Sequence, residues 1–277
     1  MIYLRDRCGR DEAAPRHPGY EHQYMQTPWT PVPILMYHAV EDAARPPKYK
    51  HFYVLADEFA GQMRMLKRAG YTPIRFEMLA AARAGAGGLP TKPVLLTFDD
   101  GYANLKTNVH PLLNELGFAY TVFLVSERVG KTNDWVVPDG YEATKLLTWA
   151  EIASMQADGN VAFEAHTATH PKLAEISPAE ARREMADSKD ALEQRLQTPI
   201  TTLCYPYGSV NEAVQDMAGE LGYTQAVTTE FGRVRAGDPA LRLPRISVYH
   251  VPPVSLTYGI GPLNFRWRLQ SRKDARP

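Results

Sequence analysis

Cysteine is almost missing from this chain: only Cys8 and Cys204 occur in 277 residues, too few for a disulfide framework or a thiolate-built zinc site. Net charge is missing as well. Lys plus Arg and Asp plus Glu stand at 31 each, so no overall field selects nucleic acid or an anionic lipid surface. No apolar run approaches the length of a transmembrane helix. The opening MIYLRDRCGRDEAAPRHPG carries charges where a secretion signal would carry an apolar stretch. Read as written, the chain is expected in the cytoplasm, with no nucleic-acid partner and no integral membrane segment. A misplaced start site would instead allow an extracytoplasmic protein.

What is present is ordinary in amount and ordered in pattern. Hydrophobic residues make up 44% and charged residues 22%, as in soluble globular proteins. Residues 1–30 are polar, proline-bearing and without periodicity, and are expected to be a tail; 263–277 read as a second, basic tail. Between them, apolar runs at 33–37, 94–98, 120–125, 161–165, 200–205, 224–228 and 246–249 are expected strands. They alternate with helical patterns that follow Asp57, Pro111, Thr148, Ser177 and Asn211. Thr148 with Glu151, and Ser177-Pro178 with Glu180, have capping-box spacing. About seven strands separated by helices predict an α/β domain at 31–262 with a mostly parallel sheet.

Four polar clusters fall just after expected strands: His38, Asp99-Asp100, His166 with His170, and Tyr205-Pro206-Tyr207-Gly208. In parallel α/β barrels the carboxyl ends of the strands converge on one rim, so these clusters are expected to meet. Adjacent carboxylates repel unless a cation or proton intervenes, although Asp-Asp-Gly also suits a plain turn. Histidines four apart share one side of a helical turn and can reach a single ion; Pro171 argues for a loop turn instead. Either half has a bland reading as a turn or as surface histidines. Together they favour a hydrolytic metal centre, with two imidazoles and one carboxylate on the ion and a second carboxylate free for protons.

TFDDG at 97–101, HTATH at 166–170 and CYPYG at 204–208 resemble, in order and separation, the motifs of the polysaccharide deacetylase family (NodB homology, carbohydrate esterase family 4). The likeness covers roughly residues 33–250. ILMYHAV and LRLPRI are more similar to the poly-N-acetylglucosamine deacetylase branch than to the chitin deacetylase branch. The resemblance implies a distorted (β/α) barrel and metal-dependent removal of N-acetyl groups from amino sugars. By position, Asp100, His166 and His170 would hold a divalent metal, zinc foremost. Asp99 would be the general base, and Tyr207 would offer its backbone N–H to the oxyanion. Two places depart from the family pattern. Cys204 stands where an arginine usually orients the base, and Arg245 is the substitute expected here. The usual Leu-x-His of the general acid is not cleanly present; the resemblance to the poly-N-acetylglucosamine deacetylase branch points to His38 for that role, with His250 as its rival.

The leading function is therefore N-deacetylation of an N-acetylhexosamine-containing glycan or glycoconjugate, by metal-activated water with Asp99 as base. An imidazole's ordinary pKa near neutrality suits the proton donation expected of His38. Two alternatives stand beside it: a small-molecule amidohydrolase or deformylase of the same superfamily, and a non-catalytic carbohydrate-binding relative. The missing signal sequence favours the former, whereas the full set of Asp99, Asp100, His166 and His170 speaks against the latter. Trp135, Tyr141 and Trp149 could stack on sugar rings or equally anchor the core. Cys204 is expected to behave as a small buried apolar residue.

Overall fold

The strands that hold the site are short and apolar on both faces, as strands covered by helices must be. A computed structural model describes residues 29–49 and 51–250. The expected basic tail, nearly all of the expected N-terminal tail, and Cys8 lie outside these residues. Ten strands are present among them: β1 Ile34–Tyr37, β2 Ala39–Glu41, β3 Tyr53–Leu55, β4 Thr72–Pro73, β5 Pro93–Phe98, β6 Tyr120–Leu124, β7 Val161–Ala165, β8 Thr202–Cys204, β9 Gln225–Phe231 and β10 Leu243–Ser247. The order β1-β10-β9-β8-β7-β6-β5, with β1 also paired to β5, closes a barrel of seven parallel strands. The remaining strands are accessory. β4 pairs with the start of β5, and β2 with β3 form a separate two-stranded sheet.

Seven helices accompany the strands: α1 Ala56–Arg68, α2 Phe76–Arg83, α3 Leu105–Asn108, α4 His110–Leu116, α5 Trp149–Ala157, α6 Pro178–Leu196 and α7 Glu212–Glu220. Their ends follow the sequence signals. Thr148 and Ser177 cap α5 and α6 with reciprocal glutamates, and Asn211 accepts the Val214 N–H at 2.9 Å. α1 starts at Ala56 and so includes Asp57 rather than following it as expected; the Glu58 carboxylate reaches back to the Leu55 N–H at this earlier start.

Period-two alternation sends each strand's side chains into two separate cores. Leu35, Val94, Leu96, Val122, Leu203 and Ala226 pack with Phe59, Met63 and Leu66 of α1, Met155 of α5 and Met185 of α6. The alternate residues Ile34, Leu95, Phe123, Cys204, Val227 and Leu243 form the barrel's own interior, joined by Phe76 and Leu79 of α2. Counting on by two from this inner set gives His38, Thr97, Asp99 and Arg245. The inner face thus turns from apolar to polar toward the carboxyl ends of the strands.

The last strand differs from expectation. It runs Leu243–Ser247 rather than 246–249 and includes Pro244, a residue that cannot donate to a ladder. A register shift between Leu243 and Arg245 absorbs the proline, which is how a bulge admits one. The accessory β2, β3 and β4 are two or three residues long and carry no periodic signal.

Gly101, directly after the paired aspartates, shows why the turn there is so constrained. Its φ is +76°, and a Cβ would meet Leu124 Cδ2 at 2.7 Å. Gly101→Ala is expected to lower unfolding free energy by about 1–3 kcal/mol, the scale of a strained left-handed residue. Urea denaturation of the variant measures it, and a change within about 0.5 kcal/mol, ordinary for a surface site, would contradict it.

Candidate active site

Asp99 and Asp100 part company immediately. Asp99 keeps the inward alternation of β5, while Asp100 leaves the strand with φ +70°. Both are buried. Arg245 grips Asp99 with two parallel bonds, Nη1 to Oδ1 and Nη2 to Oδ2, each 2.7 Å. The same guanidinium donates through Nε to Thr228 O at 2.8 Å, through Nη1 to Thr97 Oγ1 at 3.2 Å, and through Nη2 to Cys204 Sγ at 3.2 Å. Burial opposes a charge on either partner. The pair outweighs it: Asp99 is held below the usual carboxylate range, and Arg245 is raised. Cys204 is therefore more than apolar filling, since its Sγ lies 3.2 Å from the arginine and 3.6 Å from Asp99 Oδ2.

Asp100 faces the two histidines. Its Oδ1 lies 3.3 Å from Nε2 of both His166 and His170. The three donor atoms sit within 4.8 Å of one another, and all three residues are buried. His166 Nδ1 is 2.7 Å from the Cys204 carbonyl, an acceptor only, so Nδ1 carries a proton and Nε2 is turned toward Asp100. Burial works to raise the Asp100 carboxyl, but the flanking imidazoles hold it well below its ordinary range.

The chemistry of this trio fits a divalent ion. Asp100 Oδ1, set between the two Nε2 atoms, is buried without a hydrogen-bond partner. An anionic oxygen left unpaired inside a protein is costly unless a cation completes it. Two imidazoles and one carboxylate are donors that zinc accepts, and three protein ligands leave room for water or substrate. The histidines do not share a helical turn. They belong to a loop after β7 in which Thr167 and His170 have φ of +66° and +74°. The Trp135 ring stacks on His170 with centroids 4.4 Å apart, and the Tyr207 ring meets the same imidazole at 4.7 Å.

The other expected residues divide cleanly. His38, one residue past β1, brings Nε2 to 4.0 Å from Asp99 Oδ2. His250 is committed elsewhere, with Nδ1 3.0 Å from both Glu58 oxygens and its ring stacked on Tyr53. Tyr207 has φ +58° and an exposed ring. Gly208 beside it has φ +71°, and a Cβ there would reach Thr229 N at 2.9 Å. Of the aromatic residues, Tyr141 packs edge-on against Phe52 and Tyr49. Trp149 packs on the core under Arg195, which makes it an anchor. The contact of Trp135 with His170 left no signal in sequence.

Residues 86–226, half of the chain, match the model of the family described as polysaccharide deacetylase. The chain belongs to the polysaccharide deacetylase family. Within that family it is 29% identical over 219 residues to YxkH of Bacillus subtilis (strain 168), itself provisionally named a polysaccharide deacetylase; the match covers 78% of this chain and 71% of YxkH. A poly-beta-1,6-N-acetyl-D-glucosamine N-deacetylase of Escherichia coli (strain K12) is 25% identical over 248 residues. There the match takes in 79% of this chain but 36% of that larger protein. Among solved structures, the Streptococcus pyogenes deacetylase PplD in complex with acetate superposes with a TM-score of 0.71 at 28% identity, over 87% of this chain and all of PplD. This member of the family has the barrel expected of it, and among its described residues no helix is long and apolar enough to cross a membrane.

Two outcomes follow for the site. Arg245→Met leaves the Asp99 carboxylate buried and unpaired, and should cost about 3–5 kcal/mol of stability in denaturant titrations at neutral pH. A loss under about 1 kcal/mol would show that Asp99 needs no partner. Chelator-treated protein should melt at a higher temperature when zinc is added, by about 2.7 kcal/mol of stabilisation at a hundredfold excess over Kd. His166→Ala and His170→Ala should abolish that shift.

Proposed function

We propose that this chain is a metal-dependent deacetylase that removes N-acetyl groups from an N-acetylhexosamine-containing glycan. One observation carries the proposal: a buried two-histidine, one-aspartate cluster stands next to a second aspartate that an arginine holds in a fixed plane. The named activity of the E. coli relative supports the amino-sugar amide as the bond hydrolysed.

Asp100, His166 and His170 would hold the ion, zinc being the best match to the donor set. When bound, such an ion supplies Lewis-acid polarisation of a carbonyl and a lowered pKa for water. Everything else falls to the chain. Asp99 takes the proton from the attacking water; its low pKa keeps it ionised, and the bidentate arginine fixes its orientation. The Tyr207 N–H donates to the oxygen that becomes negative as the carbonyl carbon turns tetrahedral. The amine must then leave, and it leaves poorly unless protonated. His38, partly exposed and with Nε2 4.0 Å from Asp99 Oδ2, donates that proton. The aromatic faces of Trp135 and Tyr207 beside His170 exclude water and offer flat apolar surfaces to a sugar ring.

Two measurements test the roles. Asp99→Asn should reduce kcat about 10²–10⁴-fold with metal content retained, the range for loss of a positioned base. Full acetate release from N-acetylglucosamine oligomers by that variant would remove Asp99 from the mechanism. His38→Ala should lower kcat far more than His250→Ala. The reverse order would move the acid to His250.

A further inference from the structure

The loop that carries both histidines is strained, and something must hold it. Thr167 and His170 both occupy the left-handed region, at φ +66° and +74°, where side chains with a Cβ are unfavourable. Its carbonyls are tied on one side. The N–H groups of Ser126 and Glu127 donate to Thr167 O at 3.1 Å and to Ala168 O at 3.0 Å. Its N–H groups are tied on the other side by one carboxylate, Glu184, which projects from α6. Glu184 Oε2 accepts from Ala168 N at 3.0 Å and from Thr169 N at 2.8 Å, and Oε1 accepts from Thr169 Oγ1 at 2.6 Å. Ala168 N is also shared with the Glu184 main-chain carbonyl at 3.1 Å. Inside the loop, His170 N donates to Thr167 Oγ1 at 3.1 Å.

We propose that Glu184 is a positioning residue for metal binding: its three-bond latch on Ala168 and Thr169 holds His166 and His170 at the separation that lets both reach the ion held with Asp100. The latch sits between the two ligands in sequence and touches neither. Three accepted bonds on one side chain restrain consecutive residues of a loop whose intrinsic preference is to relax. Without them Thr169 loses both of its ties, the loop keeps only its carbonyl bonds and those of Ala168 N and His170 N, and a turn of one residue toward negative φ swings His170 Nε2 away from Asp100 Oδ1. Charge is not required. A glutamine can accept both N–H bonds through its carbonyl oxygen while its amide donates to Thr169 Oγ1, since a hydroxyl can reverse its role. The latch is therefore geometric, and Glu184→Gln should keep it.

The inference rests on the metal reading of the site, and zinc binding by the full chain separates the two. Zinc affinity is measured by competition with a chromophoric chelator for the wild type, Glu184→Ala, Glu184→Gln and Thr169→Val, alongside the melting temperature of each chelator-treated protein. Glu184→Ala should weaken zinc binding about 10–100-fold, the scale for losing a partner that orients metal ligands. Glu184→Gln should stay within about threefold of the wild type, because the bond count survives. Thr169→Val removes only the hydroxyl bond at a partly exposed position, should weaken binding less than Glu184→Ala, and stands in for it if that variant does not fold. A merely structural role would lower the metal-free melting temperature and leave zinc affinity of the folded protein unchanged. Unchanged affinity in Glu184→Ala, or in Thr169→Val where it stands in, overturns the inference while leaving the metal site intact. Absence of zinc binding by the wild type overturns both.

Discussion

The bond between Arg245 and Asp99 is the constraint around which the rest of this barrel is arranged. A guanidinium 1% exposed, with Phe123 beneath it at 5.9 Å, has no water to stabilise its charge. Leaving such an ion unpaired costs several kcal/mol, so the carboxylate opposite it is as much a structural requirement as a chemical one. The polar layer they form closes the apolar interior from above and joins β5, β8, β9 and β10 through Thr97, Cys204 and the Thr228 carbonyl. Asp99 cannot rotate without breaking two bonds at once. In the proposed mechanism, the carboxylate that takes the proton is aimed by the same contacts that hold the barrel shut.

Around this fixed layer the backbone does unusual things. Of the five non-glycine residues with positive φ among the described residues, Asp100, Thr167, His170 and Tyr207 all belong to the site; Gln197, which ends α6, is the exception. Each such residue costs about 1–3 kcal/mol and persists only where its surroundings over-determine it. Here the surroundings are identifiable: Gly101 lies under Leu124, the Glu184 carboxylate lies over the histidine loop, and Gly208 presses against Thr229. At Asp100 the strain has a direct result. Two neighbouring carboxylates, which strand geometry alone would send to opposite faces, serve adjacent places in one site.

Much of this is legible in the sequence, and the reasons are specific. The barrel strands are continuous apolar runs, and the polar residues just past them could be placed on one rim because parallel strands all end there. Arg245 was suggested by resemblance and not by spacing. It lies 146 positions from Asp99, and only closure of the sheet through β10 and β1 brings the two together. His38 and His250 each follow a strand, so alternation alone does not separate them; in the fold His38 comes to 4.0 Å from Asp99, whereas His250 pairs with Glu58 of α1. Glu184 was invisible for another reason. It is one of several charged residues on a helix whose outer face is charged throughout, and nothing in its neighbours marks the one that turns inward.

The resemblance implies an arginine on β8, and its place on β10 in this chain makes physical sense once the barrel is closed. β8 and β10 flank β9, and residues of both point into the same interior. Cys204 Sγ and the Arg245 fork approach the same oxygen, Asp99 Oδ2, at 3.6 Å and 2.7 Å. One carboxylate has one edge for a bidentate partner, so the two positions are alternatives and cannot both be occupied by arginine without an uncompensated charge. Because the guanidinium arrives from β10, position 204 must be small, able to tolerate a cation at 3.2 Å, and free to give its carbonyl to His166. Cysteine meets all three conditions. Cys204 is thus the counterpart of Arg245: its Sγ meets the arginine-held Asp99, and its carbonyl meets the histidine that faces Asp100.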